Sequence, residues 1–480
     1  MVHKPMILKR LIFYTLIFVL LPSLVKSEVK LPALFSDHMI LQQQSNVAIW
    51  GWAKKGSAIT VTASWNKKAV TTKTDAAGKW RLYITTPKAG GPYKITLSDG
   101  VPLLLEDVLI GEVWLCSGQS NMEVPMKGFM GQPILGANEA ILHAQNKNIR
   151  VITVPRAASL DPLENFKGQW EQASPASIAE FSATAYYFGT LLNEILDVPV
   201  GLLHVSYSGS NIEAWMDASW LRDLGVKDLP TKGDSVHTPN RTPTLLYNGM
   251  LHPVIGYGIK GCIWYQGESN YTDPDLYEKL FEKMIKEWRV QWGLGDFPFY
   301  YAQIAPFNYA QFPQKEVKEK YNSAYLRDVQ RKAMKTIPNC GMAVLMDTGE
   351  KDNIHPRDKK TAGHRLAYWA LGKTYDIQGF SYASPSYDRM TIKDSTIIIS
   401  FDNAPNGITS FGETLTSFEI AGKDKKFYPA IAILGRKSVT VSSPQVKEPV
   451  AVRYAFKDFV KGDLFGTSGL PVSSFRTDDW

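Results

Sequence analysis

Between about residue 109 and residue 375, short apolar runs alternate with stretches of helical period, and this alternation constrains the fold more than any other feature. The runs are Glu112–Cys116, Ile149–Val154, Val200–Val205, Ile259–Tyr265, Phe299–Ile304 and Met342–Met346. Each is short, apolar and bounded by turn residues, as a strand buried on both faces should be. Between them the pattern predicts helices. One runs from Ser182, an N-cap residue, to Leu196; another from the N-cap and N1 pair Asp273-Pro274 to Trp292; two more cover about 323–336 and 358–371. In the second helix Leu276, Leu280, Met284, Trp288 and Trp292 recur at helical spacing and are read as core. Strand–helix alternation of this kind gives a parallel sheet with helices on both faces.

The flanks read differently. Residues 28–108 carry short β-branched and aromatic runs (Val47–Trp52, Ile59–Trp65, Lys79–Ile84, Tyr93–Leu97) separated by Lys55-Gly56, Ala77-Gly78 and Gly90-Gly91-Pro92, which predicts a small β-sandwich. Strand signals return beyond about 385, and the same pattern leaves open whether they form a separate unit or complete the first sandwich. A chain of 480 residues exceeds one ordinary core. The expected division is a leader over 1–27, an N-terminal β domain over 28–108, an α/β domain over 109–380 and a β-rich region over 381–480.

The leader reading rests on Lys4, Lys9 and Arg10 before the apolar run 11–21, then Pro22 and the small residue Ser27. That run is too short to span a bilayer comfortably and has the layout of a secretory signal, so the expected location is secreted or periplasmic, with no membrane contact after cleavage. The leader holds four basic residues and no acid, so the net charge of +7 falls to +3 once it is gone. No Lys/Arg stripe stands out, which argues against a nucleic-acid partner. The three cysteines, Cys116, Cys262 and Cys340, make no disulfide framework, and Cys116 and Cys262 read as small buried hydrophobes. No His/Cys/carboxylate cluster has metal-site spacing, so neither metal nor cofactor is expected.

Chemistry is sought where strands end. Ser120 follows the run Val113–Cys116 within Gly118-Gln119-Ser120-Asn121, at the carboxyl end of a strand, where open α/β sheets place their sites. By itself it is as readily a turn serine bonding its own backbone. His355 lies in a polar loop after another strand, with Asp352 three residues before it, near enough to orient the imidazole; Asp347 is a rival for that role. The N–H groups of Ser120 and Gly209 and the side-chain amide of Gln266 are candidate oxyanion donors, each at a strand end. Glu268 is a candidate orienting or substrate-facing carboxylate, with a salt bridge or cap as the plainer role. The segment from about 227 to 244, polar and rich in Pro, Asp and Thr, reads as a long loop over the α/β face.

The blocks GEVWLCSGQSNMEVPM (111–126), NIEAW (211–215), WYQGESN (264–270) and DNIHP (352–356) resemble the sialate O-acetylesterase family of the SGNH hydrolase superfamily. LPALFSDHMILQ (31–42), LYNGMLHP (246–253) and FRTDDW (475–480) extend the likeness to both ends of the mature chain. The resemblance implies a flavodoxin-like α/β catalytic domain flanked by β structure, hydrolysing O-acetyl esters of sugars without a cofactor. It implies Ser120 as nucleophile, His355 as base, Asp352 as its acid and Gly209 as oxyanion glycine, with Gln266 where many relatives in the superfamily have asparagine. Trp215, Tyr247 and Asn248 are candidate sugar contacts. One departure is Ser208, where the family usually has glycine. The expected substrate is an O-acetylated sialic acid or another acetylated glycan. An acetyl esterase for plant polysaccharides such as acetylxylan needs the same groups, and a non-catalytic carbohydrate-binding protein needs none of them.

Overall fold

The computed structural model describes residues 1–2, 29–312 and 322–480. Apart from its first two residues, the expected leader lies outside the described residues.

Six parallel strands form the central sheet: β1 (Pro102–Gly118), β2 (Asn146–Thr153), β3 (Val200–Ser206), β4 (Gly261–Tyr265), β5 (Phe299–Ala302) and β6 (Cys340–Ala343). Their order across the sheet is β6-β5-β4-β1-β3-β2, and Glu171–Ala173 adds an antiparallel edge beside β2. With β2 set aside as an added edge strand, the other five follow the 2-1-3-4-5 order of flavodoxin-like sheets. The strand order therefore reverses at β1, the position where such sheets bind their ligands. Both neighbours of β1, β3 and β4, end in loops beside its carboxyl end.

Five helices matter here: α1 (Ser120–Glu123), α2 (Ala183–Leu196), α3 (Pro274–Trp292), α4 (Ser323–Thr336) and α5 (Lys359–Trp369). The two expected caps, Ser182 and Asp273, hold, and Asp358 adds a third. Ser182 accepts from Ala185 N–H at 3.0 Å, Asp273 from Leu276 N–H at 3.2 Å and Asp358 from Thr361 N–H at 2.9 Å. The α3 stripe is core as predicted: Leu280, Met284, Trp288 and Trp292 are buried and Leu276 packs at its margin. Trp288 meets Trp264 of β4 edge-on at 5.6 Å, so Trp288→Ala would cost about 3–5 kcal/mol and loosen α3 from the sheet.

β1 is 17 residues long and serves two units. Its first part pairs antiparallel with Gly90–Ser98 of the N-terminal β unit, and its second part is the middle strand of the central sheet. The junction near residue 108 thus falls inside a continuous strand rather than in a linker. The C-terminal strands form two four-stranded antiparallel sheets and a two-stranded ribbon of Ile408–Thr409 with Phe465–Gly466, and among the described residues none of them pairs with the N-terminal unit. The two larger sheets pack face to face as a sandwich over Ile397, Val439, Ile420, Val452 and Phe475. All three cysteines are buried and free.

Candidate active site

β1 ends at Gly118, whose φ of +140° and close approach to β4 require glycine: a Cβ there would lie 2.2 Å from the Tyr265 carbonyl oxygen. Gln119 then binds across to the β4 loop. Its N–H donates to Tyr265 O (2.9 Å) and its Oε1 accepts from the N–H groups of Gly267 (3.3 Å) and Ser269 (3.4 Å). Ser120, 4% exposed, opens α1. Among the described residues its Oγ makes no hydrogen bond and its N–H meets no acceptor.

Asn121 joins the loops around that serine. Its Nδ2 donates to Glu268 Oε1 (2.5 Å) and to Ile354 O (3.1 Å), and its Oδ1 accepts from Lys359 Nζ (2.5 Å). The residue after Ser120 is thereby bonded to the residue before His355, and three strand-end loops are locked together. Glu268, Asn121 and Lys359 are all buried. Burial pushes the Glu268 carboxyl up and the Lys359 ammonium down to about 7, so the amide of Asn121 mediates a pair in which both charges are disfavoured.

His355 departs from the expected arrangement. Its Nδ1 pairs with Gln132 Oε1 at 2.6 Å, and the edge of its ring meets Phe129 at 5.8 Å. Asp352 is exposed and accepts from Gln311 Nε2 at 3.0 Å, with no bond to the imidazole. Asp347 is held bidentately by Arg365 at 2.6 Å on each oxygen. Neither expected acid touches His355; a neutral amide from a loop 223 residues away does. Three-residue spacing put Asp352 in reach, but the loop conformation turns its carboxylate outward. Burial first, and the nearby Lys359 charge second, bring His355 down to about 4, so the imidazole is neutral near pH 7.

Gly209 stands beside the Ser120 turn with φ +68°, and no acceptor among the described residues meets its N–H. Its loop is held from several sides. Ser208 N–H donates to Glu123 Oε2 (2.8 Å), Asn240 Nδ2 to Ser208 O (2.8 Å) and Arg241 Nε to Gly209 O (3.3 Å). Serine in place of the family glycine at 208 is accommodated through its backbone, and the 227–244 segment packs over this loop as expected.

Gln266 is not free to serve as an oxyanion donor. Its Nε2 spends both hydrogens, on Ser210 O (3.1 Å) and Asn270 Oδ1 (2.8 Å), while its Oε1 is buried without a partner. Asn270 Oδ1 also accepts from Ile212 N–H, so turning the Gln266 amide would set acceptor against acceptor. Gln266 therefore braces the β3 loop against the β4 loop.

The expected sugar contacts are interior residues. Trp215 is 0% exposed, with Nε1 donating to Ser210 Oγ at 2.9 Å and its ring edge-on to Trp264. Tyr247 is buried against Trp220, and Asn248 donates to Leu160 O at 2.8 Å. Glu268 lies under α1 and faces no solvent. Aromatic and amide side chains near a sugar site and in a core look the same in one dimension, which is why these positions misled. Gln132 and Lys359 were missed: Gln132 sits in an undistinguished loop, and Lys359 in Asp358-Lys359-Lys360 reads as a solvated helix start. Among the described residues no group of three or more His, Cys, Asp or Glu side chains forms a metal site.

The strand order, with Ser120 and His355 on loops at the carboxyl edge of the sheet, fits a hydrolase of carboxylic esters. The chain belongs to the family "Carbohydrate esterase, sialic acid-specific acetylesterase", whose model matches residues 110–371. It is 29% identical to the sialate O-acetylesterase of Homo sapiens over 396 residues, covering 74% of this chain and 73% of that one, and 28% identical to that of Mus musculus, covering 73% and 74%. In three dimensions it matches the crystal structure of a carbohydrate acetylesterase from Xanthomonas citri with a TM-score of 0.85 and 35% identity, over 94% of this chain and 100% of that chain.

Proposed function

We propose that this carbohydrate esterase removes O-acetyl groups from sialic acids through an acetyl-enzyme on Ser120. The observation that carries the reading is the bond from Asn121 to Ile354, which gathers the Ser120 turn and the His355 loop around two unused backbone donors, the N–H groups of Ser120 and Gly209. His355 Nε2 takes the proton from Ser120 Oγ as that oxygen attacks the acetyl carbonyl carbon. The two N–H groups receive the oxyanion. The tetrahedral adduct collapses, the sugar oxygen leaves with the proton from His355, and water attacks the acetyl-serine by the same route to release acetate. The leader over 1–27 would export the protein to act on extracytoplasmic glycans.

A sialic acid also carries a carboxylate, and Arg241 is suited to receive it. Arg241 is exposed, its Nε is anchored on Gly209 O beside the acyl site, and no acid neutralises it among the described residues. Arg156, near the same loop, is already bound bidentately by Glu123 at 2.6 Å. The reading is tested by acetate release from 9-O-acetylated sialic acid and from acetylxylan, each with wild type and Ser120→Ala. Preference for the first and none for Ser120→Ala is expected. Activity on acetylxylan alone would move the substrate to neutral polysaccharides, and a fully active Ser120→Ala would sink the mechanism.

A further inference from the structure

We propose that Gln132, not an acid, is the positioning residue of the catalytic histidine: its amide oxygen accepts the Nδ1–H of His355 and so leaves Nε2 the unprotonated nitrogen that can act as base. The inference rests on the reading of Ser120 and His355 as nucleophile and base.

The contact is short, at 2.6 Å, and it is built rather than incidental. Leu135 N–H donates to Arg357 O at 2.9 Å, tying the Gln132 loop to the backbone two residues past His355. Within that loop Gln132 N–H donates to Phe129 O at 3.0 Å, which sets Phe129 against the imidazole edge while Gln132 caps its nitrogen. The loop is anchored upstream by Met126 N–H on Phe181 O (2.8 Å) and Lys127 N–H on Ala179 O (3.0 Å).

Nearby carboxylates are all engaged elsewhere. Asp347 binds Arg365, Asp352 accepts from Gln311, Glu350 accepts from Arg357 N–H, Asp358 caps α5 and Glu268 is bound to Asn121. The charged group that acts on His355 most directly is a cation, Lys359 from α5. Gln132 and Phe129 from the facing loop carry no charge. An amide oxygen can hold the productive tautomer as a carboxylate does, because a neutral base needs only an acceptor at Nδ1. It cannot stabilise the imidazolium that forms after proton transfer. The consequence is a base that stays deprotonated in mild acid, at some cost in basicity.

The test uses the full chain and acetate release from p-nitrophenyl acetate between pH 4 and 9, with thermal melts for folding. Gln132→Ala should lower kcat about 10- to 100-fold with little change in KM, while Asp352→Asn should lose less than about threefold. Gln132→Glu should move the acid limb of kcat/KM upward by about one pH unit or more, because a carboxylate at Nδ1 favours the imidazolium. A purely structural role would not shift that limb. The proposal is overturned if Asp352→Asn carries the large loss, or if the limb stays in place in a folded Gln132→Glu; the second variant decides even if Gln132→Ala unfolds. Failure of the underlying reading looks different: Ser120→Ala or His355→Ala would then keep full activity.

Discussion

Two buried polar clusters in this molecule differ in what holds them: charge pairs bind one, and neutral amides brace the other. Where α4 meets the C-terminal sandwich, Arg327 donates to Ser474 Oγ, Ser323 Oγ and the carbonyls of Lys457 and Asp458, while Arg453 grips Asp478 bidentately at 2.9 and 2.6 Å. Asp328 there meets Arg331 at 2.8 Å and Lys332 at 2.9 Å. At the carboxyl edge of the sheet, by contrast, Ser120 Oγ and the N–H groups of Ser120 and Gly209 have no partner among the described residues; buried side-chain atoms without a hydrogen bond occur in both clusters, Glu268 Oε2 and Gln266 Oε1 here, Gln303 Oε1 and Arg476 Nε there. Backbone N–H groups in buried surroundings are nearly always paired, so two open ones beside an unbonded hydroxyl need a cause. The first cluster fastens two units together; under the proposed function the second receives a substrate that supplies the missing partners. Size would not have found it: concavities of about 590 Å³ against Trp50 and Trp80, and about 660 Å³ between Phe380 and Ser468, lie elsewhere.

The comparison breaks most plainly at Ser120. Ser120→Ala should lower acetate release by about 10⁴-fold or more with an unchanged melting temperature, because it removes the attacking atom and no hydrogen bond. A large drop in melting temperature would place Ser120 with the fastening cluster instead. Asp478→Ala should do the reverse. It leaves Arg453 half-buried and unpaired, costing about 3–5 kcal/mol in urea unfolding, with kcat per folded molecule intact.

Arg241→Ala sharpens the substrate side. KM for an acetylated sialic acid should rise about tenfold or more, with no change for a neutral acetylated sugar, the scale of one charged hydrogen bond. Equal effects on both substrates would remove Arg241 from carboxylate recognition.

The last test is the pH dependence of stability. Burial holds His204, in β3, down to about 3, and His355 to about 4, both below the ordinary 6.5. The unfolded chain binds these protons first as pH falls, so stability is full above about 6.5 and declines as pH drops toward 4. Melts at pH 7, 5.5 and 4.5 should show that decline, with His204→Gln flattening part of it. A wild-type curve flat across this window would mean that neither histidine is held neutral by the fold.

Most of the central architecture was legible in the chain. Fully buried parallel strands must be continuous apolar runs, and helices covering a sheet must show their 3.6-residue stripe, so the six strands and the helices at 183–196, 274–292, 323–336 and 359–369 stood out with their caps. The Ser120 turn and Gly209 were legible because a strand-end serine and a left-handed glycine are local demands. The sequence alone therefore determined the strands of the sheet, the turn at Ser120 and the left-handed glycine at 209, all set by neighbours within a few residues. Tertiary structure alone decided which group meets His355, what occupies Gln266, and that Trp215, Tyr247 and Asn248 are interior. Those choices are made by contacts such as Gln132 with His355, 223 residues apart, and a hydrogen bond between distant loops leaves no periodicity in the chain to read.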